Sequence, residues 1–494
     1  MSEHHHASEA IYHPIPQAPV ASNPIPEGSP DLDLDDDAAL SGSAFIPTQN
    51  VVDSRIRWAH FMLGCAVLLP WNALITATPY FQSRVAGTSL KSVFSSYLST
   101  TFTAANFLFL AHATVTAKKA SNTRRVLVSL AALAVLSFML TTSTYTHPAA
   151  GGFFAFVLLN AVGQAAAGSY LQTAVVAVAS LFGPSAMQAV MSGQAAVAVV
   201  ISGVQVLSAL ASVRGSKPEA AAVASSSEPE EQSAFIFFGL STVFLVVCAA
   251  VHSWLVSLPA YKSVVSQTMS RERLDVAEET GLLEESGSSI DDRRHGKEHG
   301  QTTQVVRIAK TNAIFNFAVG YVFVVTLAVF PPITISITST SPSVHPLVFS
   351  AIHFLMFNIG DFTGRAICSL PRLHIWSARR LLTLSLLRTL FIPLFLMCNV
   401  QWASSSSSAG PIISSDVIFM LIVLLFGLSN GYISSMCMMA APSTTHNPRL
   451  KGRAEDVDVA ATVASFCLVG GLAVGSILSF AVRATVCDCN PFTE

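Results

Sequence analysis

The feature that most constrains this chain is a series of apolar blocks of about 20 residues or more, the length at which a helix rising about 1.5 Å per residue crosses the hydrocarbon core of a bilayer. Hydropathy marks eleven such spans, at 56–78, 92–115, 126–145, 152–179, 187–213, 233–258, 307–337, 345–369, 379–400, 413–440 and 457–485. Gly183-Pro184-Ser185 is the only break between the fourth and fifth; if it is not a turn, the count is ten. With 51% hydrophobic and 11% charged residues and a mean hydropathy of +0.55, the solvent for most of the chain is lipid. The expected fold class is an all-α polytopic membrane protein.

Basic residues give the orientation, because short cytoplasmic loops collect lysine and arginine. Eleven spans put the two termini on opposite sides. The N-terminal side then holds Arg55 and Arg57, Lys118, Lys119, Arg124 and Arg125, eight residues between Lys262 and Lys310, Arg372, Arg379 and Arg380, and Arg449, Lys451 and Arg453. The other side holds only Arg84, Lys91, Arg214, Lys217 and Arg483. Leaving out the long loop does not reverse the bias, so the N-terminus is expected in the cytosol.

Four segments follow: a tail at 1–54, a bundle of six helices at 55–258, a polar linker at 259–306 and a bundle of five helices at 307–494. The first 50 residues have no lysine or arginine, many prolines, a three-histidine run and the acidic stretch Asp31 to Asp37, which reads as a disordered cytosolic tail and not as a basic-started signal peptide. The linker is rich in Glu, Ser and Gly and reads as mostly disordered. Within it, Glu278-Glu279-Thr280-Gly281-Leu282-Leu283 has the acidic dileucine form that sorting adaptors bind, with Glu278, Leu282 and Leu283 as its contacts. A vacuolar or lysosome-like membrane and the plasma membrane are both open. Cys487 and Cys489 are too close together for a relaxed mutual disulfide, and two ligands without a histidine beside them make a poor metal site. No metal and no cofactor is expected.

Three charges lie more than three residues from either end of a span, where each costs roughly 2.5–3.5 kcal/mol on insertion scales if unpaired. Asp361 and Arg365 stand four residues apart in the eighth span and share a face, with Asn358 one turn earlier. An acceptor, a donor fork and an amide on one face suit hydroxyls and heterocyclic nitrogens. The same pair could serve only to lock the bundle, and both roles can coexist. Arg388 in the ninth span reads as a structural or gating residue. In the first span, Leu68-Leu69-Pro70-Trp71-Asn72 sets a helix-distorting proline, Pro70, beside an aromatic face. Helices four, five and eleven are rich in Gly, Ala and Ser, which lets membrane helices approach closely.

Phe61-Met62-Leu63-Gly64 through Leu68 to Asn72 and on to Tyr80-Phe81 resembles the first helix of equilibrative nucleoside transporters. Asn358, Asp361, Gly364 and Arg365 resemble that family's eighth-helix signature, Phe330-Pro331 its seventh, and Pro393 with Cys398-Asn399 its ninth. Gly427-Leu428-Ser429-Asn430-Gly431-Tyr432 with Ala441-Pro442 is similar to the tenth, and Gly471-Leu472-Ala473 with Gly475, Ser479-Phe480 and Arg483 to the eleventh. The acidic tail and dileucine string resemble the fungal intracellular type.

The resemblance implies a 6+5 arrangement of two bundles related to the major facilitators, and sodium-independent facilitative carriage of nucleosides, with nucleobases as further candidates, by alternating access. It places Leu68 and Trp71 beside the base, Asp361 and Arg365 at the polar edge of sugar or base, and Leu472 on the opposing half. The family's fourth-helix glutamine aligns with Ala167, and Gln164, one turn away, can stand in for it. Partners would be the solute, membrane lipid and a sorting adaptor, with no nucleic acid.

Two other classes compete. A major-facilitator carrier of another small polar solute, such as a sugar, would share the topology, but Thr116 to Arg125 lacks the glycine-rich, Asp/Arg-containing second loop typical of that group. A non-transporting receptor or scaffold could keep the fold, although the intact Asp361/Arg365 pair speaks against decay. A membrane enzyme would need clustered His, Cys or carboxylates at one depth, which the spans do not offer.

Overall fold

The structure, a computed structural model, describes residues 53–117, 121–215, 228–267, 302–330, 332–400 and 412–487. The tail up to 52, the sorting string at Glu278, Leu282 and Leu283, and Cys489 lie outside the described residues. So does the middle of the linker expected over 259–306, whose edges are helical at 259–267 and from 302 onward.

The helices are α1 (Ser54–Thr76), α2 (Thr78–Arg84), α3 (Leu90–Val115), α4 (Asn122–Ser143), α5 (Ala150–Leu181), α6 (Pro184–Gly215), α7 (Glu228–Ser257), α8 (Ala313–Val329), α9 (Pro332–Ile335), α10 (Pro346–Ile367), α11 (Ala378–Leu387), α12 (Phe391–Leu396), α13 (Asp416–Ala440) and α14 (Val457–Cys487). The divide between spans four and five is a turn. Gly183 has φ +84°, a left-handed conformation that a Cβ disfavours, and Pro184 opens α6 where its missing N–H removes no helical bond.

Among the described residues nine helical segments are long and apolar enough to cross a membrane, against eleven expected spans. The expected spans 92–115 and 379–400 account for the difference. The first is one continuous helix, α3, but Ser95, Ser96, Ser99, Thr100, Thr101 and Thr103 make its first half polar. The second is broken by a tight 3₁₀ turn at Arg388–Leu390 between α11 and α12. Pro393 has no N–H to give the carbonyl of Thr389, and its ring crowds that oxygen, so α-helical bonding does not run on through the turn before it.

Glycines set how closely the spanning helices meet. A Cβ on Gly64 would lie 2.2 Å from the carbonyl oxygen of Val190, and one on Gly193 2.1 Å from that of Phe61, so α1 and α6 touch backbone to backbone. α10 and α13 do the same through two interleaved pairs. Gly360 and Gly364 face Leu424 and Leu428, while Gly427 and Gly431 face Phe357 and Asp361, at 1.9–2.3 Å from a carbonyl oxygen in each case. Gly471 meets Gly320 across α8 and α14 at 2.2 Å. No other residue fits such contacts, which is why apolar helices use them where lipid supplies no hydrophobic drive to associate.

The first seven helices pack as α1 on α6 and α7, α4 on α5 and α7, and α3 on α5; the later ones pack as α10 on α13, and α8 on α14 and α11. The two groups meet where α6 lies on α10, and α5 and α3 lie on α14. Asn312 sits in the turn before α8 and donates to Ala441 O at 2.9 Å, while Asn447 donates to Asn312 Oδ1 at 2.9 Å and to Ala441 O at 2.8 Å, tying the end of α13 to the start of α8. Leu159, Leu207, Leu240 and Ile477 are between 67% and 73% exposed on four spanning helices, an outer surface made for lipid and not for water.

Candidate functional site

The glycine pairs of α10 and α13 bring the charge in one helix against an amide in the other. Because Gly431 sits on the carbonyl of Asp361, the neighbouring Asn430 points its amide at the Asp361 carboxylate, and Asn430 Nδ2 donates to Asp361 Oδ1 at 2.6 Å. The second carboxylate oxygen accepts from Arg365 Nε at 2.9 Å, the i,i+4 pairing expected from the spacing. All three residues are buried.

From Asn430 the network runs on through α8 to the broken ninth span. Thr326 Oγ1 lies 2.8 Å from Asn430 Oδ1 and accepts from Arg388 Nη2 at 2.8 Å. Arg388, 1% exposed, also donates to Phe426 O at 3.0 Å and to Ser429 Oγ, and its guanidinium lies 4.5 Å from the Phe426 ring centroid. It has no carboxylate of its own. A carbonyl, two hydroxyls and a ring face hold its terminal nitrogens, while Nε is buried without a hydrogen-bond partner.

On the opposite side Arg365 crosses to α6. Its Nη1 donates to Met191 O at 3.0 Å and to Gln194 Oε1 at 3.5 Å, and Gln188 Nε2 donates back to Arg365 O at 3.1 Å. Asn358 turns from Asp361 and donates to Ser202 Oγ, also on α6. A second bridge between the groups of helices, Gln172 Nε2 to Ser465 Oγ at 2.9 Å, joins α5 to α14.

The other residues singled out from sequence lie apart from this network. Pro70 is buried inside an unbroken α1, and Asn72 donates to Leu68 O at 2.9 Å. Trp71 is half-buried and stacks on Phe102 of α3 with centroids 4.4 Å apart. Leu68 is half-buried on α1, and Leu472 is half-buried on α14. Gln164, 1% exposed, gives its amide to Asn160 Oδ1 at 2.6 Å and leaves its own Oε1 without a partner. A cavity of about 510 Å³ opens at the end of the bundle marked by the Gly183 turn, between Ser180–Met187 and the segment from Met439 to Val457, and none of the residues above lines it.

Asn430, Thr326, Met191 and Gln194 were not predicted as site residues. The signal for Asn430 was there, an amide set between glycines four apart, facing another such pair that brackets Asp361. Met191 contributes only its backbone oxygen, for which a sequence has no sign. Chemically the site is one carboxylate among guanidinium and amide donors. Among the described residues no three of His, Cys, Asp or Glu gather as a metal site would need. Such a site can hold and release hydroxyls and ring nitrogens.

Comparison with known proteins gives one consistent result. The nucleoside transporter family matches residues 154–484. Equilibrative nucleoside transporter 1 of Rattus norvegicus is 27% identical over 471 residues, covering 86% of this chain and 96% of that protein. Nucleoside transporter FUN26 of Saccharomyces cerevisiae is 27% identical over 439 residues, covering 85% and 82%. Among solved structures, the major facilitator superfamily proton:xylose symporter XylE superposes with a TM-score of 0.50 at 10% identity, over 89% of this chain and 90% of that one, a likeness of fold alone.

Proposed function

Since this chain belongs to the nucleoside transporter family, a family of multi-pass membrane carriers and not of enzymes, we propose that it carries nucleosides, and nucleobases with them, across a membrane without sodium. The observation that carries this reading is the buried Asp361–Arg365 pair. It is fastened on one side to Asn430, Thr326 and Arg388 and on the other to α6, so it stands where two groups of helices meet. Intramembrane charges so placed mark solute paths more often than inert braces.

In this reading residues 55–258 and 307–494 are two bundles that rock about a site near mid-membrane. Asp361 accepts from sugar or base hydroxyls, Arg365 donates to ring or sugar oxygens, and Leu68, Trp71, Gln164, Asn358 and Leu472 shape the space for the base. Pro70 and Arg388 act on the geometry of the path and not on the solute. The basic loops place the N-terminus and the Gly183 end of the bundle in the cytosol. The string at Glu278, Leu282 and Leu283 directs the protein to a vacuole-like membrane through an adaptor.

The test is uptake of labelled uridine and adenosine by proteoliposomes in sodium-free buffer, with and without an inward proton gradient, for the parent chain and Asp361→Ala. Saturable uptake that the substitution abolishes supports the reading. A folded parent that moves neither solute overturns it.

A further inference from the structure

In the state described here two of the three guanidinium nitrogens of Arg365 are already engaged by protein. Nε is held by Asp361, on the same helix, and Nη1 by Met191 O and Gln194 Oε1, both on α6. Met191 and Gln194 lie seven and ten residues into α6, about 10–15 Å from its first residue, and Arg365 is two residues from the end of α10. Gln188, four residues into α6, closes the loop by donating to Arg365 O. Four polar groups of α6 and α10 thus meet within the same end of the bundle. The Gln172–Ser465 bridge stands at a comparable depth on α5 and α14.

The two kinds of contact behave differently when the groups of helices part. Asp361 travels with Arg365, so that ion pair survives. The bonds to Met191 O and Gln194 span the interface and are the ones that break. Gln194 is 7% exposed and Arg365 5%, so neither side has water to fall back on while closed. We infer that Gln194 is a gating residue: together with the Met191 carbonyl it occupies Arg365 while this end is shut, and solute takes over the freed donors when it opens.

A neutral amide suits that task. It accepts one hydrogen bond, at 3.5 Å a long one, which is weak enough to be exchanged for a solute contact. A carboxylate in its place would bracket Arg365 between two anions and tighten the closed state. An isosteric hydrocarbon would loosen it. The sign of the effect therefore follows the charge at position 194, which a purely space-filling role would not produce.

The inference rests on the alternating-access reading above, and its test needs no transported solute. A reporter cysteine is placed at Ser465, 1% exposed at the closed end, and its labelling by a charged maleimide is timed in lipid nanodiscs, with the Ser465 chain as the blank for native cysteines. Gln194→Leu and Gln194→Met in the Ser465→Cys background should label about fivefold faster, the population change that loss of one hydrogen bond produces. Gln194→Glu should label several-fold slower than the Gln194 parent. Equal rates in all variants, or acceleration by Glu as well as by Leu and Met, overturn the gating role. Failure of the nucleoside reading shows up elsewhere, as a parent that labels normally and transports no nucleoside.

Discussion

Gly431→Ala is the sharpest test of how the site is held. A Cβ at this position would lie 1.9 Å from the Asp361 carbonyl oxygen and 2.8 Å from its carbon, with Arg365 N at 3.0 Å. A carbon–oxygen contact needs about 3.3 Å, so α10 and α13 have to part by about 1.4 Å at that level. The obstacle is backbone, so no side-chain rotation can absorb it. Overpacking of this kind costs about 1–3 kcal/mol. The same displacement carries Asn430 Nδ2 from 2.6 Å to about 4 Å from the Asp361 carboxylate, outside hydrogen-bonding range, and a charge-assisted bond worth about 1.5–3 kcal/mol goes with it.

Gly168→Ala is the control, since nothing lies within 4 Å of its Cβ and alanine favours a helix by about 1 kcal/mol over glycine. Gly320→Ala, with its Cβ 3.2 Å from Cys467 O, should fall between the two. Thermal unfolding in detergent, read by gel filtration after heating, should rank Tm in the order Gly168→Ala, Gly320→Ala, Gly431→Ala, and solute uptake should fail first in the last. A Gly431→Ala protein with parental Tm and parental uptake would refute the backbone-contact account of the α10–α13 pair.

Trp71→Ala removes the stack on Phe102, worth about 0.5–1.5 kcal/mol beyond burial; the reading of Trp71 as a base contact expects a higher KM for nucleosides with surface expression preserved, and an unchanged KM would reduce it to packing. Gly183→Ala forces a Cβ into a left-handed turn at a cost of about 1–2 kcal/mol, measurable as a lower Tm and relieved by Gly183→Asn. His446, outside the spans, stacks on Trp376 at 3.9 Å, and burial, then the neighbouring His374, hold its pKa below the ordinary 6.5. The unfolded chain binds the proton first, so stability is complete above pH 6.5 and falls as pH drops from there toward the lower folded value. His446→Gln should flatten that part of the Tm–pH curve, and an unaltered slope would discharge His446 from the role.

Much of this architecture could be read from residue order because membrane folding is dominated by a one-dimensional signal, apolar length. The turn at Gly183-Pro184 and the pairing of Asp361 with Arg365 followed from local spacing. What escaped was set by contacts between helices. The partners of Arg388 needed the fact that acceptors wait on α8 and α13, and Asn430 needed the facing of two glycine pairs. Asn358 shares a helical face with Asp361, yet its partner is on α6, because that face is divided between two neighbours.

The bonds from Arg388 to Asp361 all run one way: guanidinium to hydroxyl, hydroxyl to amide oxygen, amide nitrogen to carboxylate. Such a chain is wired in series. Thr326 has a single proton, and Val322 O, 2.7 Å away, competes for it, so the middle link can be diverted without any helix moving. Each donor polarises the next, and loss of the Thr326 hydroxyl therefore reaches the carboxylate as a weaker anchor, while Arg388 stays moored to Phe426 and Ser429. The vulnerable point of this chain of bonds is thus a methyl-bearing hydroxyl with no charge, one amide removed from the carboxylate.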